Sequence, residues 1–356
     1  MAYASITKPS LHFNTKLSTG TGNSQAITGL GFKPDLIWGK RRDNSGHHSW
    51  FDVVRGITKG IESSSNSAEF TSTDYYSSFD SDGFTIAAGS GGAGNGSGQT
   101  AVQWCWKAGG SQGSSNTDGS INTTYTSVNT TAGFSISKYT GTGSNATVGH
   151  GLGVAPSMVI FKNLTSSGGS AEHWVVYHKG IAPTKGILFN LTNSADTDSA
   201  YFNNTTSTNS VFSIGTADKV NKNGEANIAY CFAEIKGYSK IGSYIGNGNN
   251  SGPFIYTGFK PAFVIVKNST TGNYSWTVND TARTPFNVMD KWLYPNSNTG
   301  EATGSSYNMD LLSNGFKSRN TGSNTNDTNN GYIYIAIAEE PLVANAGTNG
   351  VPATAR

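Results

Sequence analysis

Three successive copies of one pattern occupy most of this sequence. Each copy has a Gly-x-Gly turn and, 14 or 15 residues later, a proline that opens an apolar segment ending in lysine. The first and second of these prolines are 122 residues apart, and the second and third are 105 apart. A repeat of this length predicts three related folding units. The turns begin at Gly20, Gly141 and Gly246, and the apolar segments are PDLIWGK (34–40), PSMVIFK (156–162) and PAFVIVK (261–267).

Three further anchors recur in the same order after each proline. They are a tryptophan, a turn that leads into a phenylalanine, and a closing apolar strand. The tryptophans are Trp50, Trp174 and Trp276, the phenylalanines are Phe84, Phe212 and Phe316, and the closing strands are 102–107, 228–233 and 333–338. This order assigns repeats to residues 1–108, 133–237 and 238–341, a Gly/Ser/Asn/Thr-rich linker to 109–132 and a C-terminal tail to 342–356.

Alternation of large and small residues in the closing strands predicts an all-β fold. Large residues occupy alternate positions, so one face fills a core, and small residues on the other face let a second layer approach closely. The proline-opened segments are apolar on both faces, as expected for strands covered on both sides. We therefore expect three tandem antiparallel β-sandwich, jelly-roll-like domains. Cys105 and Cys231 occupy equivalent positions in different repeats and are expected to be small buried residues rather than a redox pair.

Composition excludes several classes of function. Charged residues make up only 13% of the chain, about half the usual share, and the formal net charge is +2. No basic footprint for nucleic acid emerges, since Lys40, Arg41 and Arg42 form the longest basic run. No apolar run approaches the length of a membrane span, and residues 1–11 lack the features of a signal peptide. The expectation is a chain made in the cytoplasm without membrane insertion.

The search for chemistry yields no metal or cofactor site. His173 and His178 are five residues apart on a predicted strand and face opposite sides, and His47, His48 and His150 lack partners at ligand spacing. Asp80 and Asp82 lie on a Gly turn and offer carboxylate oxygens, the ligands that Ca²⁺ prefers. A solvated turn is the preferred interpretation, because the other copies lack both carboxylates. Asp52 with Arg55, and Asp280 with Arg283, share an Asp-x-x-Arg spacing that is interpreted as an ion pair rather than a ligand clamp.

An enzyme is the minority interpretation, because nothing singles out a catalytic pair. A glycosidase needs two carboxylates on one cleft, and the candidates qualify only by being carboxylates. They are Asp52, Glu69, Glu234, Asp280 and Glu339. The repeated tryptophans are interpreted as structural anchors, whereas the non-repeated Trp292 and Tyr294 are weak candidates for an exposed ligand-binding platform. Function is expected in the segments that the copies do not share, namely 89–98, 203–210 and 292–306.

The phrases that carry these motifs resemble a family of virion proteins of marine tailed bacteriophages that infect cyanobacteria and pelagic bacteria. They include TGLGFKPDLIW, SFDSDGFT, VGHGLGVAPSMVIFKN, IAYCFAEIKGYSKIGSYIGNG, FIYTGFKPAFVIVKN and the tail NGVPATAR. The similarity covers roughly residues 5 to 356. Members are usually described as tail-fibre or structural proteins, and no catalytic residue carries over from them.

The resemblance implies a non-enzymatic virion structural protein on the exterior of the phage particle. The expected role is a tail-fibre or receptor-binding component that contacts host surface glycans. The alternatives are a capsid decoration or head-fibre protein and, from another class, a polysaccharide depolymerase. The partners expected are other virion proteins, host surface polysaccharide and further copies of the chain, with a trimer favoured.

Overall fold

A computed structural model describes residues 4–89, 92–165, 171–346 and 349–352. Within these ranges, nearly all regular structure is β-strand, which confirms the all-β class. Helical structure there is confined to single turns: a 3₁₀ turn at Pro9–Leu11, α1 (Ser199–Phe202) and α2 (Asp218–Asn221). The strands form larger and smaller antiparallel sheets, one larger and one smaller sheet in each repeat.

The first unit pairs a six-stranded sheet with a three-stranded one. The larger sheet has the order β1-β9-β3-β4-β5-β6 and the smaller has β2-β8-β7. The bounds are β1 (Phe13–Thr19), β2 (Gln25–Ile27), β3 (Leu36–Arg41), β4 (Ser49–Asp52), β5 (Lys59–Glu62), β6 (Phe70–Thr71), β7 (Tyr76–Asp80), β8 (Gly83–Ile86) and β9 (Thr100–Trp106).

The second unit repeats this plan with one more strand in its larger sheet and one fewer in its smaller sheet. Its larger sheet has the order β10-β11-β18-β13-β14-β15-β16, and its smaller sheet consists of β12 and β17. The bounds are β10 (Tyr125–Asn129), β11 (Phe134–Thr140), β12 (Ala146–Gly149), β13 (Met158–Asn163), β14 (Val175–His178), β15 (Lys185–Leu188), β16 (Asp196–Thr197), β17 (Val211–Ile214) and β18 (Ala226–Phe232).

The third unit has a larger sheet ordered β19-β27-β21-β22 and a smaller sheet ordered β20-β26-β25. The short pair β23-β24 also belongs to this unit, whereas the pair β28-β29 lies in the segment 342–356 that was predicted to be a C-terminal tail. The bounds are β19 (Ser239–Ile245), β20 (Phe254–Tyr256), β21 (Phe259–Asn268), β22 (Thr277–Asp280), β23 (Lys291–Trp292), β24 (Ala302–Thr303), β25 (Met309–Leu312), β26 (Gly315–Ser318), β27 (Gly331–Pro341), β28 (Val343–Ala346) and β29 (Asn349–Pro352).

Strand register shows that the three units are equivalent. In each larger sheet the closing strand lies between the proline-opened strand and the strand that ends at the Gly-x-Gly turn, which is β1, β11 or β19. The central pair in register is Trp38 with Trp104 in the first unit, Ile160 with Tyr230 in the second and Ile265 with Ile335 in the third. The repeat predicted from the sequence is therefore present at the level of backbone pairing.

The two faces of each closing strand contribute to different cores. The large residues of all three strands lie in a single hydrophobic cluster: Val102, Trp104, Trp106, Ile228, Tyr230, Phe232, Ile333, Ile335 and Ile337. The small residues lie instead in three separate clusters, each between the larger and the smaller sheet of one unit. The larger sheets thus pack together around one shared core, a feature that the sequence did not predict.

The two cysteines lie on the small-residue faces of their closing strands. Cys105 lies in the sandwich core of the first unit and Cys231 in that of the second, and both are free and fully buried. Burial raises the pKa of Cys231 to about 12. The expectation of two separated, structural thiols is confirmed.

The lysine that ends each proline-opened segment joins its unit to the preceding one in a ring. Lys40 Nζ lies 3.4 Å from the carbonyl oxygen of Asn298 in the third unit. Lys162 Nζ donates to Asn66 O in the first unit at 3.1 Å, and Lys267 Nζ to Thr192 O in the second at 3.2 Å. All three lysines have no exposed surface. Burial lowers the pKa of Lys40 and Lys162 to about 8 and that of Lys267 to about 7.

The segment 109–132, predicted to be a linker, is part of the fold. Its strand β10 is the edge strand of the larger sheet and pairs with β11, from Tyr125 opposite Lys138 to Asn129 opposite Phe134. Gln112 also donates to Val54 O of the first unit at 2.8 Å. A polar Ser/Thr/Asn composition fits an edge strand as well as a linker, so composition alone gave the wrong interpretation here.

Register corrects the alignment of the repeated tryptophans. All three are buried in the shared core, as expected of structural anchors. However, Trp50 pairs with Trp38, and the positions equivalent to Trp50 are occupied by valines in the other units. The position equivalent to Trp174 and Trp276 is His48, which accepts a hydrogen bond from Trp38 Nε1 at 2.9 Å. At this place the first unit therefore has His48 bonded to Trp38, whereas each of the other two units has one tryptophan.

Candidate functional site

The two Asp-x-x-Arg pairs are buried at junctions between units. Arg55 Nε donates to Asp52 Oδ2 at 2.6 Å, and both side chains are fully buried. Tyr230 of the second unit donates its hydroxyl to the same carboxylate oxygen at 2.7 Å. Because the pair has no access to solvent, the ion-pair interpretation is confirmed over a ligand clamp.

The Asp280–Arg283 pair of the third unit forms an equivalent buried contact with the first unit. Trp104 Nε1 donates to Asp280 Oδ2 at 3.0 Å, and Arg283 is bound to the same carboxylate. Glu301 accepts from Arg283 at 3.2 Å and from Arg42 at 2.9 Å. Asp52 and Asp280, two of the candidate glycosidase carboxylates, are therefore inaccessible to a substrate.

His178 occupies the register position of these aspartates in the second unit. It lies opposite Met158, as Asp52 lies opposite Leu36 and Asp280 opposite Phe263. Its Nδ1 accepts from Gly180 N–H at 2.9 Å, and its Nε2 is 3.2 Å from Tyr334 O in the third unit. Burial lowers the pKa of His178 to about 4. The neutral ring thus makes the junction contact that an aspartate makes elsewhere.

Three buried asparagines, which sequence reasoning missed, hold the Gly-x-Gly turns. Asn95, Asn221 and Asn326 have no exposed surface, and each accepts from the backbone N–H between the two glycines and donates to two carbonyl oxygens. A Cβ on the first glycine of each turn would lie 2.2–2.3 Å from a backbone oxygen. Each asparagine is seven residues before the first large residue of the closing strand, and this constant spacing is the signal that could have revealed it.

The other polar candidates serve the fold. Asp82 accepts from the backbone N–H groups of Gly29 and Gly31 at 2.9 and 2.6 Å, and Asp80 accepts from the hydroxyls of Ser78 and Thr85, both at 2.7 Å. Both carboxylates are thus occupied by protein donors. Across the described ranges, no group of three or more His, Cys, Asp or Glu side chains could hold a metal ion.

The three divergent segments differ in how much surface they offer. Segment 89–98 contains the buried Asn95, and its residues 90 and 91 lie outside the described residues. Segment 203–210 is mostly exposed. In segment 292–306, Trp292 is 5% exposed and Tyr294 is half-buried. Trp292 therefore does not form the exposed platform expected of it.

Both residues instead support Tyr307. The Trp292 and Tyr307 rings meet edge-on at 5.2 Å, and the Tyr294 ring contacts Tyr307 at 6.3 Å. Tyr307 also lies against Gly322, where a Cβ would come within 2.6 Å of the tyrosine ring. Packing on three sides fixes the orientation of this ring.

Most of the large apolar side chains that are exposed among the described residues lie in the third unit, and four of them lie on or beside its smaller sheet. Phe254 is 46% exposed and Tyr256 58%, while Ile255 between them points into the sandwich core. Across the sheet, beyond β26 and β25, Phe286 is 73% exposed and Val288 40%. We call these four residues the aromatic face. Clustered exposed apolar side chains of this kind are candidates for a contact surface.

The equivalent faces of the other two units carry small residues. Register aligns Phe254 with Ala26 in the first unit and with Thr147 in the second. The residues that correspond to Tyr256 are Thr28 in the first unit and Gly149 in the second. The aromatic face is thus specific to the third unit and is not required by the common fold.

A shallow groove of about 700 Å³ adjoins the aromatic face at Val288. The ring of Tyr307 and the side chain of Arg319 line it, and hydroxyl and amide side chains make up most of the rest. Arg319 Nε lies 3.3 Å from Asp310 Oδ2, and the arginine side chain is 41% exposed. The aromatic face and this polar groove together form the candidate binding site.

Comparison with known proteins places the chain in a family. No helix within the described ranges is long and apolar enough to cross a membrane. No curated protein matches the sequence. A family defined as a domain of unknown function, DUF7483, matches residues 8–341, a range that includes all three units. The chain therefore belongs to the DUF7483 family.

Proposed function

We propose that this chain is a non-enzymatic bacteriophage virion protein, exposed on the particle as a tail-fibre or receptor-binding component, whose third unit contacts host surface glycans. The observation that carries the proposal is that, among the described residues, exposed aromatic side chains occur in the third unit alone. Two units whose equivalent faces carry small residues provide the scaffold, and one unit provides the contact surface.

A saccharide chain suits this site better than an apolar protein partner. Exposed aromatic rings offer flat apolar surfaces, and the adjoining groove offers hydroxyl and amide groups for hydrogen bonds. Phe254 lies across Gly315, where a Cβ would come within 2.9 Å of its ring, so one side of the ring packs against the sheet. A rigid aromatic ring loses little conformational entropy on contact.

The scaffold is suited to an exposed particle component. One shared core and buried hydrogen bonds at the junctions make the three units interdependent, which limits local opening and proteolysis. Binding to other virion proteins and assembly with further copies, a trimer being favoured, belong to the same proposal. Light scattering of the purified chain measures the oligomeric state.

Glycan binding is tested on an array of bacterial surface polysaccharides with the purified chain. The double variant Phe254→Ala/Tyr256→Ala is expected to bind at least about tenfold more weakly, which is a loss of about 1.4 kcal/mol. Leu17→Ala, which removes a side chain 41% exposed on the first unit, is the matched control and should bind like the wild type. Absence of binding to every polysaccharide, or equal binding by the double variant, contradicts the proposal.

Location on the particle requires a separate experiment. Antibodies against the chain should label the tail region of intact phage in electron microscopy. Label confined to the head would replace the tail-fibre role by capsid decoration. Incubation with the bound polysaccharide should release no new reducing ends, whereas their appearance would indicate a depolymerase.

A further inference from the structure

We infer that the groove of the third unit binds an acidic saccharide, with an anionic group on Arg319 and a sugar ring against Tyr307. The inference rests on the proposed glycan binding and specifies the class of glycan. Arg319 is the one charged side chain among the described residues that line the groove. A groove that presents a cation and no carboxylate favours a carboxylated or sulfated chain over a neutral one.

The geometry of Arg319 leaves donors for such a group. Asp310 holds the Nε side of the guanidinium, at 3.3 Å, and the backbone N–H of Arg319 donates to Asn308 O at 2.9 Å. Among the described residues, no other hydrogen bond of this guanidinium is formed. Guanidinium donors are arranged in a planar fork that matches carboxylate and sulfate-like oxyanions, and such bonds are about twice as strong as neutral ones.

Tyr307 lies on the same groove and supplies the apolar contact. Its ring is fixed by Trp292 and Gly322, as described above, and the groove side of the ring remains accessible. Hydroxyls of Ser305, Ser306 and Thr321 line the same groove and can bind sugar hydroxyls. The site therefore combines a ring contact, an ionic contact and neutral hydrogen bonds.

Charges close to the groove support the preference for an anion. Lys317 is on the same outer face as Phe254, which it opposes in register. Its Nζ donates to the neutral Ser251 hydroxyl at 3.1 Å and forms no ion pair with another described residue. Asp310 opposes this effect, because it partly neutralises Arg319. Removal of the Asp310 charge should therefore strengthen anion binding.

The experiment uses the polysaccharide that the array identifies, in its native form, after reduction of its carboxyl groups to alcohols, and after desulfation. Arg319→Gln should weaken binding of the native form at least tenfold and leave binding of the neutralised form unchanged. Whichever treatment weakens wild-type binding identifies the anionic group. Arg41→Gln is the matched control, since Arg41 forms an Arg–Asp pair with Asp43 on the first unit at 3.0 Å.

Two further variants keep the test decisive if Arg319→Gln is unstable. Asp310→Asn should raise affinity for the native polysaccharide two- to fivefold, and Tyr307→Ala should weaken binding of all forms. Equal wild-type affinity for native and neutralised forms would overturn the inference while leaving glycan binding intact. The inference would also be overturned if the Phe254→Ala/Tyr256→Ala variant lost binding while Arg319→Gln bound the native polysaccharide like the wild type. If no polysaccharide bound the wild type, the proposed function itself would be contradicted.

Discussion

Substitution of Tyr230 by phenylalanine tests whether the junctions between units hold the molecule together. The change removes one hydroxyl and leaves the ring in the shared core. That hydroxyl donates to Asp52 Oδ2 at 2.7 Å and lies 3.3 Å from Arg55 Nη2. Arg55 Nη2 keeps its shorter bond to Trp50 O, at 2.9 Å, so the bond to Asp52 is the principal loss.

The magnitude follows from burial and charge. A hydrogen bond to a charged group contributes about 1.5–3 kcal/mol, and the buried carboxylate that loses it has no water to replace it. Asp52 retains Arg55 and two backbone N–H donors, those of Val54 and Arg55 itself. We therefore expect Tyr230→Phe to lower the free energy of unfolding by about 2 kcal/mol, within the range for hydrogen bonds to charged groups.

Urea unfolding followed by tryptophan fluorescence measures this loss, because Trp38, Trp50 and Trp104 lie in the shared core. The matched control is Tyr201→Phe, whose hydroxyl also binds an aspartate, Asp196, but at 3.2 Å and with an exposed partner. The control should cost less than about 1 kcal/mol. Equal losses in the two variants would refute the reasoning. So would a second unfolding transition, because a shared core predicts one cooperative transition.

Three other predictions concern the turns and the third junction. Asn221→Ala leaves buried turn groups without partners and should cost about 2–3 kcal/mol, whereas Asn145→Ala on the surface should be within about 0.5 kcal/mol of wild type; urea unfolding compares them. Gly141→Ala places a Cβ against backbone and should cost about 1–3 kcal/mol, while Gly272→Ala, where the nearest atom is 3.7 Å away, should be nearly neutral in thermal unfolding. His178 has a folded pKa of about 4, below its unfolded value near 6.5. The unfolded chain therefore binds the proton more readily, and stability should fall as pH drops from about 6.5 to 4. His178→Gln should flatten this part of the stability–pH curve, and an unchanged curve would contradict the assignment.

Repetition allowed much of the local structure to be predicted from the sequence. Alternation in the closing strands correctly indicated an all-β chain with a large-residue face and a small-residue face. The cysteines and the Asp-x-x-Arg pairs were also interpreted correctly. The Gly-x-Gly turns were recognised, but the asparagines that hold them were not, because each lies far away in the sequence in a loop of similar composition.

The candidate site was predicted less well. Trp292 and Tyr294 were singled out by rarity, yet they lie behind Tyr307, which carried no distinctive sequence signal. Phe254 and Tyr256 belong to a strand that resembles its equivalents in pattern, and only register shows that they replace Ala26 and a threonine on an outer face. Exposure depends on which side of the strand the sheet covers, and that is decided by packing.

The sequence by itself determined the repeat, the strand class and the alternation of large and small residues, because these depend on spacing along the chain. Tertiary structure alone decided which core each strand face packs into. The large-residue faces of the three closing strands are too apolar to remain in water, and no single unit covers its own. Association of all three around one core satisfies this requirement, since burial of apolar area gains free energy regardless of which chain segment provides the cover. The same association leaves the aromatic face of the third unit exposed.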